Sequence, residues 1–340
     1  MTFSVQSILQ VIVSLVPVFL FLVGLVFLDS FKLVKIRAII IAVAVGSLAA
    51  LASLVVNTEL WDVLPIPSNL YPRYVAPVVE ESLKALYMVY LIRSRRVGFM
   101  VDAALFGFAV GAGFAFVENI VYLQSMPHAS IFVWAIRGFG TAVMHGGTTA
   151  VFSIISKSKV DLAPQEHVVQ YIPGLVAAFA IHSFFNHFLL PPELMTILIL
   201  IILPFTMVLV FRQSELATQQ WLGVSLDSDV ELLELITKGG ISSTKIGTYL
   251  RSFERRFRGE VLADMLCYLR IHLELSVKAK MLLLMRSSGF GPPDDPEVEE
   301  QLNELLSLEQ SIGKTGKRLM KPFLRSSSQD LWQLHMLKQK

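Results

Sequence analysis

Residues 8–28 read ILQVIVSLVPVFLFLVGLVFL, a stretch that contains no charged side chain. As an α-helix, a run of this length crosses the roughly 30 Å hydrocarbon core of a bilayer. The rest of the chain has the same character, since 54% of its 340 residues are hydrophobic and only 16% are charged. An average soluble domain is about 25% charged. Because the apolar residues lie in long runs rather than alternating, the sequence predicts a polytopic membrane protein.

Seven apolar segments are close to or above the length that a membrane-spanning helix needs. They are residues 8–28, 38–56, 73–92, 99–123, 131–156, 170–190 and 194–211. Basic side chains follow every second segment, at Lys32, Lys35, Arg37, Arg93, Arg95, Arg96, Lys157, Lys159 and Arg212. By the positive-inside rule, the N-terminus lies outside and the C-terminus lies in the cytoplasm. The predicted fold class is all-α, a bundle of about seven transmembrane helices.

The composition changes at residues 212–213. From residue 213 onward the chain holds 17 basic and 17 acidic residues, and its apolar residues recur at helical spacing. We therefore predict a membrane domain at 1–212 and a cytoplasmic helical tail at 213–340, with a regulatory or docking role toward an unidentified partner. No motif of nucleic-acid binding is present, and the single cysteine, Cys267, excludes an internal disulfide.

Two adjacent carboxylates, Glu80 and Glu81, lie inside the third apolar segment, with Lys84 one helical turn further on. Ionisable side chains within a bilayer are costly and are usually paired or functional. Successive helical residues point about 100° apart, so Lys84 can pair with one carboxylate while the other faces a site. The second carboxylate suits a general base. A structural ion-pair network between helices is the alternative interpretation.

Further polar side chains follow on the next helices. Phe114, Glu118 and Tyr122 share one helix face, although Glu118 could instead pair with Arg137. Glycines at positions 107, 111 and 113 predict close packing around Glu118.

Histidines mark the fifth and sixth segments. His145 precedes two glycines that leave room for water or substrate beside it. His182 and Asn186 lie one turn apart, where both could stabilise an oxyanion or join helices, or His182 could bind a metal. Counted from the predicted cytoplasmic helix ends, Glu118 lies roughly two turns further out than the histidines. Since Glu118 and Asn186 lie on the outer side, we expect the site to open toward the outer half of the bilayer.

Four motifs in order resemble those of the PrsW family of intramembrane proteases. They are Glu80-Glu81-x-x-Lys84, Phe114-x-x-x-Glu118, His145 and His182-x-x-x-Asn186. The resemblance covers about residues 10–212, and the family is related to the type II CAAX prenyl endopeptidases and the Abi membrane peptidases. The last motif more often ends in Asp in PrsW proteins, whereas this chain has Asn186, as is typical of the CAAX-type relatives.

The resemblance implies a multi-pass peptidase of the cell membrane. Its substrate would be a membrane-anchored protein, such as an anti-sigma factor in stress signalling, that receives a site-1-type cut. The predicted catalytic residues are Glu80, Glu81, Glu118, His145, His182 and Asn186, with Lys84, Phe114 and Tyr122 supporting them.

Two mechanisms remain open from the sequence. In the preferred one, Glu80 or Glu81 activates a water molecule with help from His145, while His182 and Asn186 stabilise the oxyanion. In the other, a Zn²⁺ ion binds His145, His182 and one of Glu80 and Glu81, and the remaining glutamate is the base. The rival functions are a proton- or cation-coupled transporter, a CAAX-type prenyl-protein peptidase, and a scaffold that signals through the tail.

Overall fold

A computed structural model describes residues 5–29, 34–163, 165–288, 290, 295–320, 324 and 337. These residues form helices, turns and loops, and no strand occurs among them. Contacts divide the chain into two compact units, residues 1–215 and 216–340. The predicted domain boundary at 212–213 stays a prediction.

Helical structure coincides with each of the seven predicted segments of the first unit. The helices are α1 (Val5–Leu28), α2 (Ile36–Val63), α3 (Ala76–Arg93), α4 (Met100–Ser125), α5 (Ile131–Ala135), α6 (Ala142–Leu162), α7 (Ile172–Asn186) and α8 (Pro192–Thr237). Among the described residues, five helices are long and apolar enough to cross a membrane: α1, α2, α4, α8, and α7 together with the turn before it. The chain is therefore a multi-pass membrane protein. The remaining segments, α3 and α5–α6, carry much of the polar chemistry predicted above.

Two π-helical turns lie next to these polar segments. One, Tyr71–Val75, runs directly into α3, and the other, Ile136–Thr141, joins α5 to α6. The first begins the helical segment at Tyr71, two residues before the predicted start at residue 73. Turns of this kind occur frequently at functional sites.

The central helix of the first unit is α4, which is buried at every residue from Val101 to Ala115. Glycines in α4 allow its backbone to contact the backbones of neighbouring helices directly. A Cβ added at Gly111 would overlap the backbone of His145, and one added at Gly113 would overlap the backbone of Val43. The predicted close packing around these glycines is thus present on two faces of α4.

The helix α8 is much longer than its predicted segment, 194–211. It continues to Thr237, because residues 212–237 contain no proline and only one glycine. The chain leaves the helix at Gly239, whose φ of 72° is a left-handed conformation that glycine adopts without a steric cost.

In the second unit, α9 (Lys245–Arg251), α10 (Gly259–Ser287) and α11 (Glu297–Met320) follow the end of α8. Buried apolar residues of α10 and α11 form its core, among them Leu269, Leu275 and Leu305. A buried ion pair joins Lys280 to Asp229. This unit has its own hydrophobic core, as a separately packed helical region requires.

Candidate active site

Glu81 is the buried centre of a polar cluster formed by α3, α6 and α7. Its Oε1 atom accepts hydrogen bonds from Lys84 Nζ at 2.6 Å, from His182 Nδ1 at 2.7 Å and from Thr148 Oγ1 at 3.3 Å. The side chain of Glu81 is 1% exposed. One oxygen of this carboxylate thus accepts from three donors on three helices, which is the arrangement of a group that positions its neighbours.

His145 is held between a cation and a carboxylate. Its Nδ1 lies 3.2 Å from Lys84 Nζ, and its Nε2 lies 2.9 Å from Glu118 Oε2. An ammonium group can only donate hydrogen bonds, so Lys84 donates to Nδ1. A neutral His145 then carries its proton on Nε2 and donates it to Glu118. The hydrogen-bond network therefore assigns the tautomer of His145 and engages both of its nitrogens.

His182 leaves one nitrogen open toward Glu80. Because Nδ1 donates to Glu81, the lone pair of a neutral His182 is on Nε2, and this atom lies 3.8 Å from Glu80 Oε2. That carboxylate oxygen is buried and has no hydrogen-bond partner among the described residues. Two acceptors face each other here with no donor between them. A buried pair of this kind calls for a water molecule, a proton or a cation.

The same residues offer a set of metal ligands. One ligand atom from each of Glu80, His145 and His182 lies within 4.8 Å of the other two. Two histidines and a carboxylate form a known catalytic zinc set, and Glu81 bonded to the far nitrogen of His182 is the usual outer-shell arrangement. The donor chemistry therefore fits a divalent cation, provided that His145 gives up one of its two present bonds.

Glu118 pairs with Arg137 as well as with His145. Its Oε2 lies 3.4 Å from Arg137 Nη2, whose guanidinium also stacks 3.6 Å from the centre of the Tyr122 ring. Arg137 Nε donates to Asn119 Oδ1 at 3.0 Å. The alternative partner named for Glu118 from the sequence is thus present, and it does not exclude the contact with His145.

The expected offset of two turns between Glu118 and His145 is absent. The predicted fifth segment ends at residue 156, whereas α6 continues to Leu162. Measured from those helix ends, His145 lies at nearly the same depth in α6 as Glu118 does in α4, which begins at Met100. The later end of α6 accounts for His145 only, since His182 lies ten residues after Ile172, the first residue of α7.

A cavity of about 190 Å³ opens beside Glu80 and Glu118. Phe114 and Tyr122 of α4 also line it, and Lys84 Nζ lies 4.6 Å from the ring centre of Phe114. The opposite wall is formed by α2. The three residues predicted as supporting, Lys84, Phe114 and Tyr122, therefore all border the carboxylate cluster or its cavity.

Asn186 is the one predicted catalytic residue with neither a hydrogen bond nor an ion pair to this cluster within the described chain. Its Nδ2 donates to Pro72 O at 2.8 Å, while Ser183 Oγ donates to Arg73 O at 2.6 Å. His187 Nε2 lies 3.0 Å from Tyr74 Oη. The end of α7 thus holds the π-helical turn that precedes α3. The role of Asn186 as an oxyanion donor stays a prediction.

Three polar residues near the site were not predicted from the sequence. Thr148 bonds Glu81 and follows His145 by one turn, so its position in the His-Gly-Gly-Thr pattern was an available signal. Ser53 and Asn57 line the cavity from α2. They lie four residues apart in an apolar helix, and this spacing could have identified them.

Fold and site together define a class: a multi-pass helical membrane protein with a buried cluster of glutamates, histidines and a lysine. A family model described as PrsW family intramembrane metalloprotease matches residues 35–211, just over half of the chain. The chain belongs to the PrsW family, and it is a membrane-embedded peptidase. No curated protein and no solved structure matches it.

Proposed function

We propose that this protein hydrolyses a peptide bond of a membrane-anchored protein substrate at the cavity beside Glu80. One observation carries the proposal: the open Nε2 of His182 and the unpartnered Oε2 of Glu80 face each other 3.8 Å apart. These two atoms can accept the proton of an attacking water molecule. Hydrolysis of an amide requires such an acceptor next to the carbonyl carbon.

In the proposed mechanism, Glu80 takes up the proton of the attacking water and returns it to the amine nitrogen as the C–N bond breaks. Glu81 orients His182 through the bond to Nδ1, so that Nε2 stays an acceptor on the side of Glu80. Lys84 neutralises Glu81 and fixes His145, whose Nε2–H is directed to Glu118. Each of the remaining charges has a partner, and Glu80 alone among the three glutamates is left open for the chemistry.

Glu80, His145 and His182 would hold the divalent cation that the family description implies. When bound, such an ion supplies Lewis acidity, which lowers the pKa of water and polarises a carbonyl. Glu81 would orient His182 in either case, whereas Glu80 would then be a ligand of the ion and no longer the free proton acceptor.

The orientation of the chain in the membrane determines from which side a substrate reaches the site. With seven spans, an outer N-terminus and a cytoplasmic tail, the end of α2, the start of α3 and the end of α7 lie toward the outer side. Glu80, His182 and the cavity belong to those ends, so the site would open to the outer half of the bilayer. A site-1-type cut on that side fits this arrangement, and the resemblance to PrsW proteins makes an anti-sigma factor the first substrate to try.

A comparison of released extracytoplasmic fragments tests the proposal. Cells that express the wild type, Glu80→Gln or Glu81→Gln at matched protein levels are compared under several stresses. We expect a fragment that the wild type releases and that both variants lack, and its sequence would identify the substrate. Equal fragment patterns in all three strains would contradict a peptidase and favour a transporter or a scaffold.

A further inference from the structure

One wall of the cavity beside Glu80 contains no residue of the four PrsW-like motifs. It is formed by α2, which contributes Ala50, Ser53, Leu54 and Asn57. The helix is strongly apolar, with a mean hydropathy of 2.7 over its most apolar stretch. Ser53 and Asn57 are one turn apart on the side that faces the cavity, whereas their neighbour Val55 is 63% exposed on the outer surface. Polar side chains on the inner face of a membrane helix usually have a function.

This wall forms next to the point where α2 and α4 cross in close backbone contact. A Cβ at Gly46 would overlap the backbone of Val110, and Ser47 Oγ donates to Gly113 O at 3.1 Å, so the two backbones touch at this crossing. The cavity lies just beyond it, where the small residues end and Phe114 follows on α4. The helices therefore enclose a space next to the catalytic carboxylates instead of closing on each other.

The amide of Asn57 is held in a defined orientation. Tyr71 Oη lies 3.1 Å from Asn57 Oδ1 and 3.0 Å from the carbonyl oxygen of the same residue. Tyr71 is itself buried, and its ring packs edge-on against Trp61 at 4.9 Å. With Oδ1 turned to Tyr71, the N–H groups of Asn57 are left for the cavity. No hydrogen bond of Nδ2 occurs within the described chain.

A substrate helix must unwind before its peptide bond can be attacked, and the freed backbone groups then lack both water and helical partners. A cleft that accepts such a segment needs donors and acceptors in its wall. The cavity of about 190 Å³ is smaller than the roughly 300–1,000 Å³ of sites for drug-sized ligands. It suits a short length of extended backbone rather than a bulky group.

We propose that Asn57, positioned by Tyr71, binds the unwound substrate backbone next to the scissile bond by donating a hydrogen bond from Nδ2 to a substrate carbonyl, with Ser53 lining the same subsite. This inference rests on the proposed function. It assigns a substrate-binding role to α2, outside the four motifs. Tyr71 is a positioning residue, since it acts through Asn57.

The kinetic test uses the single-span membrane protein that the fragment comparison identifies as substrate, cleaved by purified full-length enzyme in detergent. We expect Asn57→Ala to lower kcat/KM roughly tenfold or more, as the loss of a buried hydrogen bond does, and Tyr71→Phe to lower it less. The double variant should match Asn57→Ala alone, because Tyr71 has nothing left to position. The control is Thr58→Ala, an exposed neighbour on α2, which should keep wild-type kinetics.

Cross-linking provides a second test that does not depend on activity. Cys267 is the only cysteine, so Cys267→Ser gives a background in which single cysteines can be placed. In the Glu80→Gln form of this background, which should keep the wild-type fold, Asn57→Cys and Ser53→Cys should form disulfides with a cysteine next to the cleavage site of the same substrate. Val55→Cys, on the lipid-facing side, should not.

The outcomes separate this inference from the function on which it rests. If the wild type and Glu80→Gln release the same fragments, the proposed function fails. If Glu80→Gln abolishes cleavage but Asn57→Ala keeps the wild-type kcat/KM, the subsite is refuted while the peptidase stands. Full additivity of Tyr71→Phe and Asn57→Ala, or cross-links at position 55 but not at 57, would also overturn the subsite.

Discussion

The two adjacent glutamates differ in what surrounds them. Glu81 accepts three hydrogen bonds and is completely enclosed, whereas Glu80 keeps an unpartnered oxygen at the edge of the cavity. Adjacent carboxylates on one helix cannot face the same way, and we propose that Glu81 builds the site while Glu80 reacts. The sequence alone does not decide which glutamate is the base. In our proposal, the base is Glu80.

Substitutions at the two positions should separate these roles. We expect Glu80→Gln to reduce turnover by about 10² or more while the melting temperature in detergent stays at the wild-type value. Glu81→Gln should also lose turnover, but it leaves Lys84 without its ion-pair partner and should destabilise the fold by about 3 kcal/mol. Thermal melts and turnover of both purified variants check this. Equal stability of the two would contradict the assigned roles.

Removal of the metal tests the ligand set formed by Glu80, His145 and His182. If these residues hold a catalytic cation, 1,10-phenanthroline should abolish cleavage and added Zn²⁺ should restore it, because two neutral histidines and a carboxylate bind such an ion well. The isomer 1,7-phenanthroline does not chelate and serves as the control. Cleavage that survives prolonged chelation, with no metal found in the purified protein, would favour the metal-free mechanism.

At the scale of helices, the sequence predicted where the apolar segments lie, and it placed the ends of α1, α3 and α4 within two residues. Apolar runs fixed the positions of α1, α2 and α4, since length and hydropathy alone define such segments. The end of α6 and the length of α8 were missed, because polar residues can continue a helix beyond the membrane. The π-helical turn Tyr71–Val75 was not predicted, since it depends on contacts with α7.

For the candidate site, the sequence predicted most of the residues but not all of their contacts. The residues named on α3, α4 and α6 lie together, because ionisable side chains in apolar helices must find each other. Asn186 does not join them, since its amide bonds the carbonyl of Pro72. That contact joins segments more than 100 residues apart in the chain, and helical periodicity contains no information about it. Thr148 and Asn57 were overlooked because uncharged polar residues are common in membrane helices.

Helix packing against α4 should be sensitive to one methyl group. Gly111→Ala would place a Cβ in the backbone of His145, so we expect a loss of about 1–3 kcal/mol of stability and reduced activity. Gly24 of α1 has nothing within 4 Å of an added Cβ, and Gly24→Ala is the matched control, with stability unchanged or slightly raised. Melting curves of both variants in one detergent measure the difference. Equal effects would contradict close α4–α6 packing.

At the scale of the whole molecule, the charge pattern predicts the orientation of the chain in the membrane. A membrane-impermeant maleimide should label Cys267 only after cells are permeabilised, since the tail is expected in the cytoplasm. With Cys267→Ser as background, His128→Cys in the loop between α4 and α5 should be labelled on intact cells. Labelling of Cys267 on intact cells would contradict the predicted orientation, and with it a site that opens to the outer side.

The central claim is that the cluster around Glu80 hydrolyses a peptide bond within the membrane. The most direct measurement is cleavage of the identified substrate by purified enzyme reconstituted in liposomes, with the fragments weighed by mass spectrometry. We predict that the wild type yields two fragments whose masses sum to that of the substrate plus one water, and that Glu80→Gln yields none. Cleavage by Glu80→Gln at the wild-type rate, or intact substrate with the wild type, would contradict the account.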